Sequence, residues 1–144
     1  MTDGVQTGTA VVRGLRAASH DDYDRVVLEF DVALGDVSVQ QVDEVLADPA
    51  GTPVEVDGSA FAVIVVQNAA VDWAQAQATD PADPVRRYTG ARELRCTLPL
   101  VREVQVVGDF EATLSVAVGL TEWATPTVTR LTDPERVVVD FPSP

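Results

Sequence analysis

Lysine is absent from this 144-residue chain, and it has one cysteine, one methionine and one histidine. A lone Cys96 cannot close an intrachain disulfide, so the fold must rest on an apolar core and the compartment cannot be read from bridges. A nucleophilic thiol would want a histidine, and His20 sits in a polar turn, so Cys96 reads as an inert thiol. No run approaches the 18 or more apolar residues of a membrane span. The start, Met1-Thr2-Asp3-Gly4, lacks the basic and apolar regions of a signal peptide. The expected location is therefore the cytoplasm, unless an export segment has been trimmed upstream. Basic residues are scarce too: ten against 23 acids give a net charge of −13. That field repels a phosphate backbone and an anionic membrane surface, which argues against nucleic acid as a partner and against direct membrane insertion. There is no P-loop, dinucleotide fingerprint or G-x-S-x-G elbow.

What the chain does have is valine, within a hydrophobic fraction of 46%. A chain of this length removes roughly 70% of its unfolded surface from water as one domain, and valine favours strands. Residues 1–8 are a polar lead-in, and residues 9–141 read as a single domain. Two stretches nearly repeat: Asp24-Arg25-Val26-Val27-Leu28-Glu29-Phe30 and Glu135-Arg136-Val137-Val138-Val139-Asp140-Phe141. In each, alternate residues (Val26, Leu28, Phe30; Val137, Val139, Phe141) line one face. Each reads as a half-buried strand, the two being central or neighbouring rather than duplicated modules.

Around them, residues 9–16 form a first strand in which Gly14 marks a bulge, and residues 37–46 read as strand. Residues 53–56 and 60–67 flank Asp57-Gly58, a strong hairpin signal. Residues 61–66 are apolar on both faces and belong inside a sheet. Residues 69–77 suit a short helical turn, ended by Pro81 and Pro84. Residues 98–107 and 110–120 are strands joined by a tight turn at Gly108-Asp109. Residues 127–131 and the closing motif flank a turn at Asp133-Pro134. Eight or nine short, mostly antiparallel strands with little helix predict an all-β fold, a β-sandwich or barrel.

Candidate chemistry is thin. A glycosidase needs one carboxyl raised by burial beside one left ionised, and the acids here lie on turns and outer faces. A pocket holding two carboxylates of opposed protonation would be the mark of an enzyme. Asp21, Asp22 and Asp24 lack the glycine and further oxygens of a calcium loop and read as solvated turn acids or as partners of Arg25 and Arg136. No metal or cofactor is expected. Arg25 and Arg136 read as register-setting partners of an acid on a neighbouring strand, such as Glu29 or Asp140.

The ligand-binding candidates are Arg86, Arg87, Tyr88 and Arg92, basic charge concentrated in a long loop of an acidic protein. Trp73 and Trp123 are added as aromatic platforms. A tryptophan in an irregular segment also serves as a lid on one end of a sandwich.

The ordered set His20-Asp21-Asp22-Tyr23-Asp24-Arg25-Val26-Val27, then Gly108-Asp109-Phe110-Glu111, then Gly119-Leu120, then Asp133-Pro134-Glu135-Arg136-Val137-Val138-Val139-Asp140-Phe141 resembles the AMIN-like domain of actinobacterial envelope proteins. The resemblance spans roughly residues 9–141. It implies a β-sandwich that is exported, often as a lipoprotein, and that binds peptidoglycan or another wall polymer without catalysing a reaction. An alternative is a protein-interaction accessory domain, contacting an envelope protein through a sheet edge or dimerising. The sequence leaves its oligomeric state open.

Overall fold

The computed structural model describes residues 9–71 and 88–143. Among these it has ten strands and no helix. They are β1 (Ala10–Ser19), β2 (Tyr23–Phe30), β3 (Val37–Val42), β4 (Ala60–Gln67), β5 (Ala69–Ala70), β6 (Glu93–Arg95), β7 (Val101–Phe110), β8 (Thr113–Leu120), β9 (Thr127–Leu131) and β10 (Glu135–Pro142). Two five-stranded sheets result, ordered β9-β10-β2-β1-β5 and β3-β4-β8-β7-β6. Every pairing is antiparallel except the two-residue contact of β5 with β1. The all-β fold is as the strand pattern predicts, and of the sandwich or barrel which that pattern left open, the two sheets make the sandwich that the resemblance implied.

Alternation explains how the sheets close on each other. Val26, Leu28 and Phe30 of β2 and Val137, Val139 and Phe141 of β10 are all within 1% of full burial, facing Ile64, Val66, Leu114 and Val116 of the other sheet. Each such side chain contributes roughly 1.5–3 kcal/mol by leaving water. The two motif strands are direct neighbours, with Val137 opposite Leu28 and Val139 opposite Val26. A bulge falls at Gly14, where the β1–β2 register shifts. The second sheet also buries part of its outer face: Val45, Val107 and Ala117 pack with Val54, Val56 and Phe61 beneath the excursion between β3 and β4.

That excursion corrects the first predicted hairpin. Residues 53–56 contribute only a Leu46–Pro53 bridge, and β4 takes β3 and β8 as partners instead. The Asp57-Gly58 backbone lies on Gly119, where any side chain would overlap the Asp57 carbonyl oxygen. Local turn chemistry yields here because Val54 and Val56 are needed to cover the second sheet.

The β7–β8 hairpin exists, but its turn is at Glu111-Ala112, both at positive φ (52° and 60°), three residues beyond the expected site. Gly108 lies instead at a register shift, with Ser115 opposite it and the Asp48 side chain where a Cβ would point. Ala69 and Ala70 are strand rather than helix, and the rest of the expected helical turn lies outside the described residues.

Candidate functional site

Parity along β2 places Asp24 on the inward face with Val26, and the side chain is fully buried. It is therefore not a solvated turn acid. Asp24 Oδ2 accepts the backbone N–H groups of Leu100 (2.7 Å) and Val101 (2.9 Å), tying the first sheet to the start of β7 in the second. Its Oδ1 has no hydrogen-bond partner. On the outer face, Arg25 donates two bonds to Asp140, Nε to Oδ1 at 2.7 Å and Nη2 to Oδ2 at 3.0 Å. Those bonds raise the guanidinium pKa, with burial opposing them. Arg25 also lies over the Tyr23 ring, 5.2 Å from its centroid, and His20 stacks on that ring at 4.7 Å.

Arg136 lies opposite Glu29, but its guanidinium turns back to the carbonyls of Pro134 (3.1 Å) and Thr132 (3.4 Å). Glu29 is taken by Arg16 of β1 at 3.1 Å. Glu135, the counterpart of Asp24 in the second motif, is half-buried at the start of β10.

The lateral side formed by β1 and β6 holds the candidate site. Among the described residues, β1 has no strand on its outer side beyond Val11, where its pairing with β5 ends. Residues 12–16 of β1 face residues 88–90 across a hollow of about 430 Å³. Tyr88 is 8% exposed there, its N–H donating to the Val71 carbonyl (2.7 Å) and its hydroxyl to the Ala91 carbonyl (2.8 Å). The ring sits where a Cβ on Gly90 would stand, only 2.5 Å from the phenol oxygen, so this fold-over requires glycine. Burial pushes the phenol pKa up, and Arg92 and Arg16 pull it back, which places both cations near the ring.

Arg13 contributes a third cation, and among the described residues neither Arg13 nor Arg92 has an ion pair. A second hollow, of about 450 Å³ and lined mainly by Ala17, Ala18, Val27 and Leu94, shares Arg16 with the first and reaches Arg25. Together they form an arginine-lined groove with one apolar wall, on an otherwise acidic protein.

On the outer side of the second sheet, Asp43, Glu44, Glu55, Asp57 and Glu103 surround a hollow of about 540 Å³ that also holds Arg95. Glu103 is fully buried, accepting from the Asp57 N–H (2.8 Å) and from Gln105 Nε2 (2.9 Å). Burial pushes its pKa up, but those bonds and one with Glu93 outweigh it and hold the carboxyl below the usual range. Glu93 is pushed up, chiefly by its hydrogen bond and charge contact with Glu103.

The two carboxyls are shifted in opposite directions, yet both bond the same Gln105 nitrogen, at 3.3 and 2.9 Å. The pair is closed on itself, whereas glycoside hydrolysis needs carboxyls about 5–9.5 Å apart with the bond between them. Among the described residues no group of three or more His, Cys, Asp or Glu could hold a metal ion.

Of the ligand candidates read from the sequence, Tyr88 lines the groove and Arg92 is near enough to its ring to lower the phenol pKa without lining either hollow, while Trp73, Arg86 and Arg87 lie outside the described residues. Trp123 is half-buried against the core and does not line the groove. Sequence reasoning missed Arg13 and Arg16, which only the fold brings to Tyr88. It also missed the buried carboxylates Asp24 and Glu103. The parity that put Val26 inside would have found Asp24; a register shift beside Glu103 breaks parity on β7.

Compared with known families, residues 10–143 match the model of the AMIN-like domain. No curated protein and no solved structure matches the chain.

Proposed function

The chain belongs to the AMIN-like family, whose domains are in general non-catalytic targeting modules of the cell wall and usually extracytoplasmic; on that premise we propose that this domain works in the envelope and binds peptidoglycan or another anionic wall polymer through the groove at Tyr88. One observation carries the reading: Arg13, Arg16 and Arg92 gather around a nearly buried tyrosine in a protein of net charge −13. Guanidinium groups bind carboxylate and phosphate with a bidentate fork, and the apolar wall gives a polymer backbone something to lie against. The surface proposed from sequence also included Arg86, Arg87, Trp73 and Trp123, of which only Trp123 falls among the described residues, away from the groove.

Co-sedimentation with purified insoluble peptidoglycan tests this. An Arg13→Gln, Arg92→Gln double variant should lose at least about fivefold in retention, and the loss should shrink as salt screens the wild type. Retention equal to wild type would remove the groove. An Arg86→Ala, Arg87→Ala pair reports separately on the neighbouring arginines.

A second reading, docking to an envelope protein through a sheet edge, is favoured by β9. All five of its residues are exposed and it pairs on one side only, with β10. Concentration-dependent mass by light scattering tests the self-association form of this reading.

A further inference from the structure

The hollow beside Leu94 has so far supplied only an apolar wall, yet its lining has a chemistry of its own. It measures about 450 Å³, and Ala17, Ala18 and Val27 of the first sheet meet Leu94 of the second there. Arg16 and Arg25 are its only polar side chains among the described residues. Ala18 opposes Arg25 and Val27 opposes Arg16, which sets all four on the outer face of the first sheet. Ala17 opposes Val26 and packs inward, as does Leu94. The hollow therefore joins that outer face to the seam between the sheets.

A sugar ring placed on Ala17, Ala18, Val27 and Leu94 would take its hydroxyls out of water with no side-chain acceptor among the described residues to replace it. An aliphatic chain carries no such penalty, and each methylene it buries is worth up to about fourfold in affinity.

The two arginines differ in the donors they have left. Arg25 commits Nε and Nη2 to Asp140, at 2.7 and 3.0 Å. Arg16 makes one bond among the described residues, Nη2 to Glu29 at 3.1 Å, and 53% of its side chain is exposed. A guanidinium has five N–H donors in a fixed fork, so Arg16 keeps several for an anion. Arg16 also lines the first hollow together with Arg13. One arginine is thus common to an apolar hollow and a cationic one, and a ligand with a charged head and an apolar tail fills both.

This rests on the reading of the groove as an anion site and extends it: we infer that the second hollow binds the aliphatic chain of an amphiphilic anion whose charged group is held by Arg16 and Arg13.

Octanoate is the probe, with octanol, octyltrimethylammonium and butanoate as controls, and the methyl resonances of Ala17, Ala18, Val27 and Leu94 are followed by NMR on the whole chain. Octanoate should shift them saturably. Octanol should bind at least about fivefold more weakly and butanoate at least about tenfold more weakly, while octyltrimethylammonium should give no saturable shift. Arg16→Gln should bring octanoate to the level of octanol and leave octanol unchanged. Ala18→Trp, at an exposed strand position that suits an aromatic, fills the hollow. It should abolish octanoate binding while thermal unfolding stays near that of wild type.

Octanol binding as tightly as octanoate would overturn the inference, as would an Arg16→Gln loss shared equally by both probes. Octanoate binding unchanged in Ala18→Trp would move the chain out of this hollow. Octanoate needs no wall polymer, so its binding is measured apart from peptidoglycan retention. Retention without octanoate binding overturns this inference alone, and octanoate binding without retention removes the wall reading alone.

Discussion

At one end of the β2–β10 pair Arg25 faces Asp140 and closes two bonds on its carboxylate; at the other, Arg136 faces Glu29 in the same register and no ion pair joins them. The two motifs are alike in sequence and are laid antiparallel, so each arginine falls opposite the other motif's acid. What separates the ends is their surroundings. Beside Glu29 runs β1, whose Arg16 reaches the carboxylate first. Arg136 sits at the mouth of the β9–β10 turn, whose carbonyls point at its guanidinium.

The leading acids diverge further. Asp24 opposes Phe141 and is sealed inside, where two amides of the second sheet meet it, while Glu135 opposes Phe30 and keeps part of its surface in water. A repeated strand sequence thus fixes register and core face, but each charged group is used by whatever third element passes it.

The largest effect expected from breaking this contrast is at Asp24. Asp24→Ala strands two buried backbone donors at roughly 1–3 kcal/mol each, so denaturant unfolding should show a loss of about 2–6 kcal/mol. Asp24→Asn keeps an acceptor and should lose less, and Glu135→Ala should stay within about 0.5 kcal/mol. Equal losses at Asp24 and Glu135 would sink the distinction.

Next comes the Arg25–Asp140 pair, half-exposed but bidentate. A double-mutant cycle with Arg25→Gln and Asp140→Asn should give a coupling of about 0.5–1 kcal/mol. The same cycle on Arg136 and Glu29 should give about zero, and it should rise by a few tenths once Arg16→Ala frees Glu29.

The smallest effect is a pH dependence on β6 and β7, where Glu103, which accepts a backbone amide, sits beside Glu93, for which only the Gln105 side chain is a donor among the described residues. Glu103 lies below 4.5, so its contribution is complete above pH 4.5 and is lost as pH falls through its lower folded value. Glu93 lies above 4.5, so its ionisation opposes folding as pH rises past 4.5 through its raised value. Glu93→Gln should therefore unfold at a higher temperature than wild type near neutral pH, with the gain disappearing toward pH 4.5. A difference independent of pH would mean the two carboxyls do not share a proton.

The alternation of apolar and charged residues was enough to read the sandwich, the core faces of β2 and β10 and the bulge at Gly14, because these depend on backbone period and on which side chains avoid water. The same parity held the burial of Asp24, unread because an acid beside a turn looks solvated. The failures at Asp57-Gly58 and Gly108-Asp109 have a common origin. A turn signal is a local preference, and covering Phe61 or continuing the β7–β8 ladder outweighs it.

By itself, then, the sequence determined which strands form and which faces turn inward. Only the tertiary structure decided what the charges do. Arg13 and Arg16 stand on an exposed strand more than seventy residues from Tyr88 and Arg92, and nothing local links them. They come near one another because Asp24 ties the start of β7 to β2, and with it β6 and the residues just before it, beside the stretch of β1 that no other described strand pairs on its outer side. Coulombic attraction and pocket shape depend on distance in space, and that distance exists only after the two sheets have closed.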